Sequence, residues 1–193
     1  MITMHISVDD ETTGMLRTGA KNMRPDIKKA VNELAVKTRD HIYREERRKY
    51  VLKASDYKKS DLKIKKATNG RLEAEIRSEG EVLSLKGHYR VRANGKWTAA
   101  KAMVLKRTGT PKKLTKYGNK GFTATVSALS KGGEEKSHTG IFVRQTKKRL
   151  HIEEFFGPGA GKITQKVFEP MEEETGTMLK DRVNALIAFG GGR

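Results

Sequence analysis

Between Pro25 and Arg48 the residues Ile27, Ala30, Val31, Leu34, Ala35, Thr38 and Ile42 recur at spacings of three and four. Only an α-helix of about six turns brings them onto one face. Pro25 suits its first position, where the missing N–H has no intrahelical partner to lose. The opposite face carries Lys28, Lys29, Lys37, Arg39, Arg44, Arg47 and Arg48, a solvated surface that need not touch anything charged. A helix with one apolar stripe must bury it against another layer, and the remaining pattern is that of a sheet.

Ile2, Met4, Ile6 and Val8 alternate with Thr3, His5 and Ser7, the two-residue period of a half-buried strand. Asp9 and Asp10 can cap a short helix through Met15, Leu16 and Met23, interrupted by Gly14 and Gly19. Leu62 and Ile64 then alternate with lysines, Asn69–Gly70 supplies a turn, and Leu72, Ala74 and Ile76 share the returning face of a hairpin. Val82, Leu83 and Leu85, ahead of Tyr89 and Val91, predict a third strand kinked or bulged at Gly87. Residues 140–145 (GIFVRQ) and 147–152 (KKRLHI) add strands before the Gly157–Pro158 turn. Helical spacing returns at Met171, Thr175, Met178, Leu179, Arg182, Leu186 and Ile187. Pro170 stands at the start, Glu172, Glu173 and Glu174 at the positive end of the dipole, and Gly190 to Gly192 at the finish. The expectation is an α+β fold in a single domain over residues 1–193. A mainly antiparallel sheet from residues 62 to 152 is packed by the long N-terminal helix at 25–48 and the C-terminal helix.

Charge is the main anomaly. The chain has 41 Lys+Arg against 23 Asp+Glu, a formal +18, so copies repel one another and attract polyanions. From Val82 to Gly133 there are twelve Lys or Arg and no Asp or Glu. At the centre of that window, residues 101–121, apolar residues are too sparse for a second core, and residues 97–133 read as a projecting basic loop or arm. Its Lys101, Lys106, Arg107, Lys112, Lys113, Lys116 and Lys120 are the expected contacts with other subunits or with DNA. Phosphates and an acidic neighbouring surface compete as partners, and a solvated loop touching nothing is the plain alternative. Trp97, Tyr117 and Phe122 lie scattered among the lysines without a recognised repeat, which favours non-specific proximity over base reading.

No stretch approaches the roughly 18 apolar residues of a spanning helix, so no membrane partner is expected. Acidic residues follow the first strand where a secretory signal would carry its apolar run, and the expectation is synthesis in a cytoplasm. The chain has no cysteine, which removes disulfides, thiolate zinc sites and a thiol nucleophile.

Other chemistry finds little support. Gly157 to Lys162 (GPGAGK) resembles a phosphate-cradling loop only superficially: Phe156 stands where the first glycine belongs, and Ile163 replaces the magnesium-binding Ser or Thr. His5, His41, His88, His138 and His151 show no HxxxH or HExxH spacing. Glu153 and Glu154 point to opposite faces if they lie on a strand, and Glu172 to Glu174 suit a helix start. No GxSxG elbow is present. The chain is therefore expected to be no enzyme, with no catalytic residue, metal or cofactor.

The segment TGIFVRQTKKRLHIEEFFGPG and the acidic-starting helix after it resemble the prophage minor tail protein Z family, through Phe142, Arg144, Arg149, Leu150, Ile152, Gly157 and Pro158. KKAVNELAVKTRDHI, with Ala30, Val31 and Asn32, is similar to that family's early helix. GEVLSLKGHY falls where the family has a short Pro-Leu strand, with Ser84 in place of the proline. The resemblance spans about residues 20 to 189. It implies a structural protein of the virion, at the head-proximal end of the tail, that completes the tail and joins it to the head. The implied partners are further copies in a hexameric ring, other neck, tail-tube or head–tail connector proteins, and genomic DNA passing without sequence specificity. The rival reading is a cytoplasmic, non-specific nucleic-acid-binding protein.

Overall fold

The computed structural model describes residues 1–8, 14, 23–53, 57–80, 82–92, 99–129, 135–146 and 151–190. The short helix expected through Met15 and Leu16, together with Trp97, Gly132, Gly133, Arg149, Leu150, Gly191 and Gly192, lies outside these residues. The fold is α+β, with every paired strand antiparallel. Length alone leads to an expectation of one domain; the chain divides into two compact units. The first comprises residues 1–46, 58–80 and 160–193, the second residues 47–57 and 81–159. In place of one sheet over 62–152, the strands among the described residues form five small sheets, and the N-terminal strand belongs to one of them.

In the first unit, β1 (Ile2–Ser7), β2 (Leu62–Lys65) and β3 (Glu73–Ser78) form a sheet with β3 in the middle. The register places Met4 opposite Ile76 and Ile6 opposite Ala74, with Ile76 also opposite Ile64. One face is therefore apolar. The other carries Glu75 between His5 on one side and Lys65 on the other, and Arg77 opposite Lys63. Between β2 and β3 the backbone of Thr68 and Arg71 exchanges two hydrogen bonds around Asn69–Gly70, the expected turn.

Helix α1 (Arg24–Lys49) buries Ile27, Ala30, Val31, Ala35, Thr38 and Ile42, the stripe read from the sequence. Full burial of each branched side chain stabilises by about 1.5–3 kcal/mol. The chain then supplies two more helices, α2 (Ala160–Phe168) and α3 (Glu172–Gly190), joined by a 3-10 turn that contains Pro170. The second is the expected C-terminal helix. α2 buries Ile163, Thr164, Val167 and Phe168, and Gly161 lies beside Ile2 and Ser78. Thr164 donates to Glu46 at 2.7 Å and lies 3.0 Å from the Ser78 hydroxyl, a buried link that ties α1, α2 and β3 together. α3 faces α1 across a cleft of about 310 Å³ lined by Ala30, Leu34, Met178 and Leu179. None of the helices among the described residues is long and apolar enough to cross a membrane.

In the second unit, β4 (Leu83–Ser84) pairs with β13 (Phe156–Gly157). The kink expected near Gly87 is one helical turn, Leu85–His88, which leads into β5 (Arg90–Arg92). The reason is packing: a helical turn brings residues four apart within about 6 Å of each other, so Leu85 and Tyr89 enter one core together with Ala100, Ala102 and Ile141. β5 pairs with β6 (Lys101–Met103), and β6 with β7 (Lys112–Lys113). β8 (Thr115–Lys116) and β9 (Asn119–Lys120) form a tight hairpin whose two loop residues, Tyr117 and Gly118, have φ of 54° and 70°. Two successive positive φ values are the mark of a type I′ turn.

The stretch 97–133, expected as a projecting arm, is thus folded over most of its described residues. Leu114 donates to Ala100, Ala100 to Gly121 and Gly121 to Leu114, a backbone ring that anchors it. What extends is the ribbon of β10 (Phe122–Leu129) and β11 (Glu135–Arg144), because β12 (Ile152–Glu154) pairs only with Phe142–Arg144. Beyond that base Thr123, Thr125, Val126, Ser127, Lys136, Ser137 and His138 are exposed.

Candidate functional site

The net charge is unevenly shared. The second unit holds 21 Lys+Arg against 6 Asp+Glu, a net +15, whereas the first holds 20 against 17, a net +3. The positive field of the chain is therefore concentrated on the second unit.

The seven expected contact cations separate into different environments. Lys101 of β6 lies directly opposite Lys113 of β7 and, on its other side, opposite Arg92 of β5. Directly opposite residues share a sheet face, so Arg92, Lys101 and Lys113 form a row of like charges across three strands. Arg90, two residues before Arg92, lies on the same face. The other face turns Val91 and Ala102 to the core, with Lys112 exposed at its edge. Among the described residues none of Arg90, Arg92, Lys101 and Lys113 makes an ion pair or side-chain hydrogen bond. Arg90 and Arg92 were missed as site residues; the alternation Arg90-Val91-Arg92 around one apolar residue was the available signal.

The remaining cations are elsewhere. Lys106 and Arg107 lie exposed in a 3-10 turn, where Lys106 donates to the Arg47 carbonyl at 2.7 Å. Lys116 donates to Glu153 at 2.6 Å and sits 4.8 Å from the centre of the Tyr117 ring, while Tyr117 donates to the other Glu153 oxygen at 2.9 Å. The hydrogen bond from Lys116, then that from Tyr117, holds the Glu153 carboxyl below its ordinary range, and the same bond raises the Lys116 ammonium. Lys116 is thus engaged inside its own unit. Lys120 is exposed on β9.

Several of the described residues that carry the family resemblance serve the fold. Phe142 is buried, and Arg144 lies 5.7 Å from the centre of the Phe122 ring and opposite Ile152. Gly157 leaves room for the Tyr89 ring, since a Cβ there would stand 2.8 Å from both Cδ2 and Cζ. Tyr89 donates its hydroxyl to the Pro158 carbonyl, and burial pushes its phenol pKa up.

Two other groupings contain reactive residue types. Ser84 donates to Glu154 at 2.8 Å, and His138 Nε2 lies 2.8 and 2.9 Å from the two oxygens of the same carboxylate. Hydrolytic relays place the imidazole between hydroxyl and acid; here the carboxylate stands between them, so His138 does not touch the Ser84 hydroxyl it would have to activate. Gly140 admits this arrangement, because a Cβ would meet the Glu154 carboxyl carbon at 2.8 Å.

His5, Glu73 and Glu75 each bring one ligand atom within 4.8 Å of the others, a grouping that histidine spacing could not reveal. Cations already surround it. Arg77 donates to Glu75 at 2.5 Å, Lys65 to Glu75 at 3.2 Å, Arg71 reaches both glutamates at 2.8 and 2.9 Å, and His5 bonds Glu73. Arg77 and then Lys65 lower the Glu75 carboxyl to about 2; His5 and then Arg71 lower that of Glu73. The donor set is one of ion-paired carboxylates.

Comparison with protein-family models, with curated proteins and with solved structures finds no match.

Proposed function

We propose that this chain is a non-enzymatic assembly protein of a bacteriophage, placed in the virion at the head-proximal end of the tail, where copies in a hexameric ring complete the tail and join it to the head. The observation that carries the proposal is the concentration of charge, +15 in the second unit, on a body whose carboxylates Glu153 and Glu154 are already bonded by neighbours. The resemblance to the minor tail protein Z family supplies the location. Copies with this charge repel, so ring contacts need surfaces of absent or opposite charge. Two surfaces qualify: Phe122–Leu129 of β10, eight residues without a charge, and Glu172 to Glu174 at the start of α3.

Interrupting the gene for this chain in a phage that carries it tests the proposal. The expected particles are full heads and separate, uncompleted tails, with joining restored by the chain supplied in trans. Normal infectious particles overturn it. The row of like charges formed by Arg92, Lys101 and Lys113 favours one second reading, a cytoplasmic protein that binds nucleic acid without sequence preference. Such a protein would be dispensable for joining.

A further inference from the structure

We infer that the face of β5, β6 and β7 carrying Arg90, Arg92, Lys101 and Lys113 is a docking surface for the sugar–phosphate backbone of nucleic acid. This rests on the reading of the second unit as the body that meets a polyanion, and not on a place in a phage tail.

Like charges directly opposite one another destabilise a sheet. Here three stand in one cross-strand row with a fourth beside them, and no carboxylate relieves them among the described residues. Nor does the local sequence provide one, since residues 82–133 contain no Asp or Glu. Neighbouring strands lie about 4.8 Å apart, so the row crosses about 10 Å of surface. A ligand with closely repeated negative charges neutralises several of these cations together, and a duplex carries one charge per about 1.7 Å of its axis.

An acidic protein surface would also carry negative charge, but protein interfaces are built on aromatic and apolar anchors and are depleted in Lys. On this face the only apolar residue of the paired strands is Met103, which is buried. Lys and Arg without such anchors are the usual phosphate contacts. The paired strands also place no aromatic ring on this face, so bases have nothing to stack on and binding is indifferent to sequence.

The test measures binding of a fluorescent 20-base-pair duplex by anisotropy across a monovalent salt series. It compares the full chain, the variant Arg92→Gln/Lys101→Gln/Lys113→Gln, and a control, Lys29→Gln/Lys162→Gln/Lys166→Gln, that removes the same charge from exposed positions of the first unit. Each lost phosphate contact lowers the log–log salt slope by about 0.9. The face variant should therefore lose about 2 to 3 in slope and at least tenfold in affinity at about 0.1 M salt, while the control keeps its slope. Thermal unfolding followed by circular dichroism should show the face variant at least as stable as the parent, because repulsion has been removed. Unchanged slope in the face variant, or equal losses in both variants, overturns the inference. So does a polyglutamate peptide that binds as tightly as the duplex with the same sensitivity to the face variant, since the surface would then serve an acidic protein. None of these results bears on whether tails are completed without the chain.

Discussion

Replacing Gly157 by Ala should strongly destabilise the second unit. The new methyl would stand 2.8 Å from Cδ2 and Cζ of Tyr89 and closer still to Cε2, where carbon atoms need about 3.5–4.0 Å. The ring cannot swing aside. It is 3% exposed, packed with Leu85, Ala100, Ala102 and Ile141, and its hydroxyl is bonded to the Pro158 carbonyl. β13 cannot retreat freely either, because Phe156 and Gly157 pair with Ser84 and Leu83. Overpacking of a tight core costs about 1–3 kcal/mol, and a misfit of an ångström or more belongs at the upper end. For a unit of about 90 residues, about 3 kcal/mol lowers the unfolding midpoint by more than about 10 °C. Circular dichroism melts of Gly157→Ala beside Gly87→Ala measure this, since a Cβ at Gly87 meets nothing within 4 Å. Adding Tyr89→Leu to Gly157→Ala should recover part of the loss, a coupling readable in a double-mutant cycle. A Gly157→Ala protein that melts with the parent, or a cycle with no coupling, would refute this account of the Tyr89 corner.

Three further outcomes follow from named contacts. The Glu75 carboxyl lies at about 2 in the folded chain against an ordinary 4.5, so its contribution to stability is complete above pH 4.5 and is lost as pH falls toward 2. Glu75→Gln should flatten the melting temperature over that window, and an unchanged acid limb would contradict the pairing with Arg77 and Lys65. Thr164→Val keeps the side-chain shape but deletes the donor to Glu46, and should cost about 1.5–3 kcal/mol by urea unfolding; a loss below about 0.5 kcal/mol would show the link to be slack. Gly118→Ala forces an L side chain to hold φ near 70° with open space around it, so thermal melts should show a loss of about 1–2 kcal/mol from backbone strain alone, and no loss would count against the type I′ turn.

Much of the first unit could be read from the chain because its signals are local. The stripe Ile27 to Ile42 has one helical solution, and alternation at Leu62 and Ile64 with Asn69–Gly70 behind it has one hairpin solution. Leu85 and Tyr89 were ambiguous, since a spacing of four fits a strand's repeat as well as a helical turn, and only the shared core decides. Helix α2 was hidden by its glycine-rich approach, Gly157 to Gly161, which reads as a turn until Ile163, Thr164, Val167 and Phe168 are seen to need burial together. The cations were visible as a run of charge, but their grouping was not. Lys112, Lys113 and Lys116 look alike in sequence. Register turns Lys113 to the face of Arg92 and Lys101 and Lys112 to the other, and Lys116 is held by Glu153, 37 residues downstream. Pairings at that separation carry no local sequence signal.

The proposed place of the chain is tested most directly by cryo-electron microscopy of intact particles from a phage that encodes it. Density for this chain is expected at the head-proximal end of the tail, in a closed ring. The +15 unit should face the DNA channel, with β10 or the start of α3 at the contacts between copies. Particles that contain no copy of the chain, or a ring that turns that unit to bulk solvent, would contradict it.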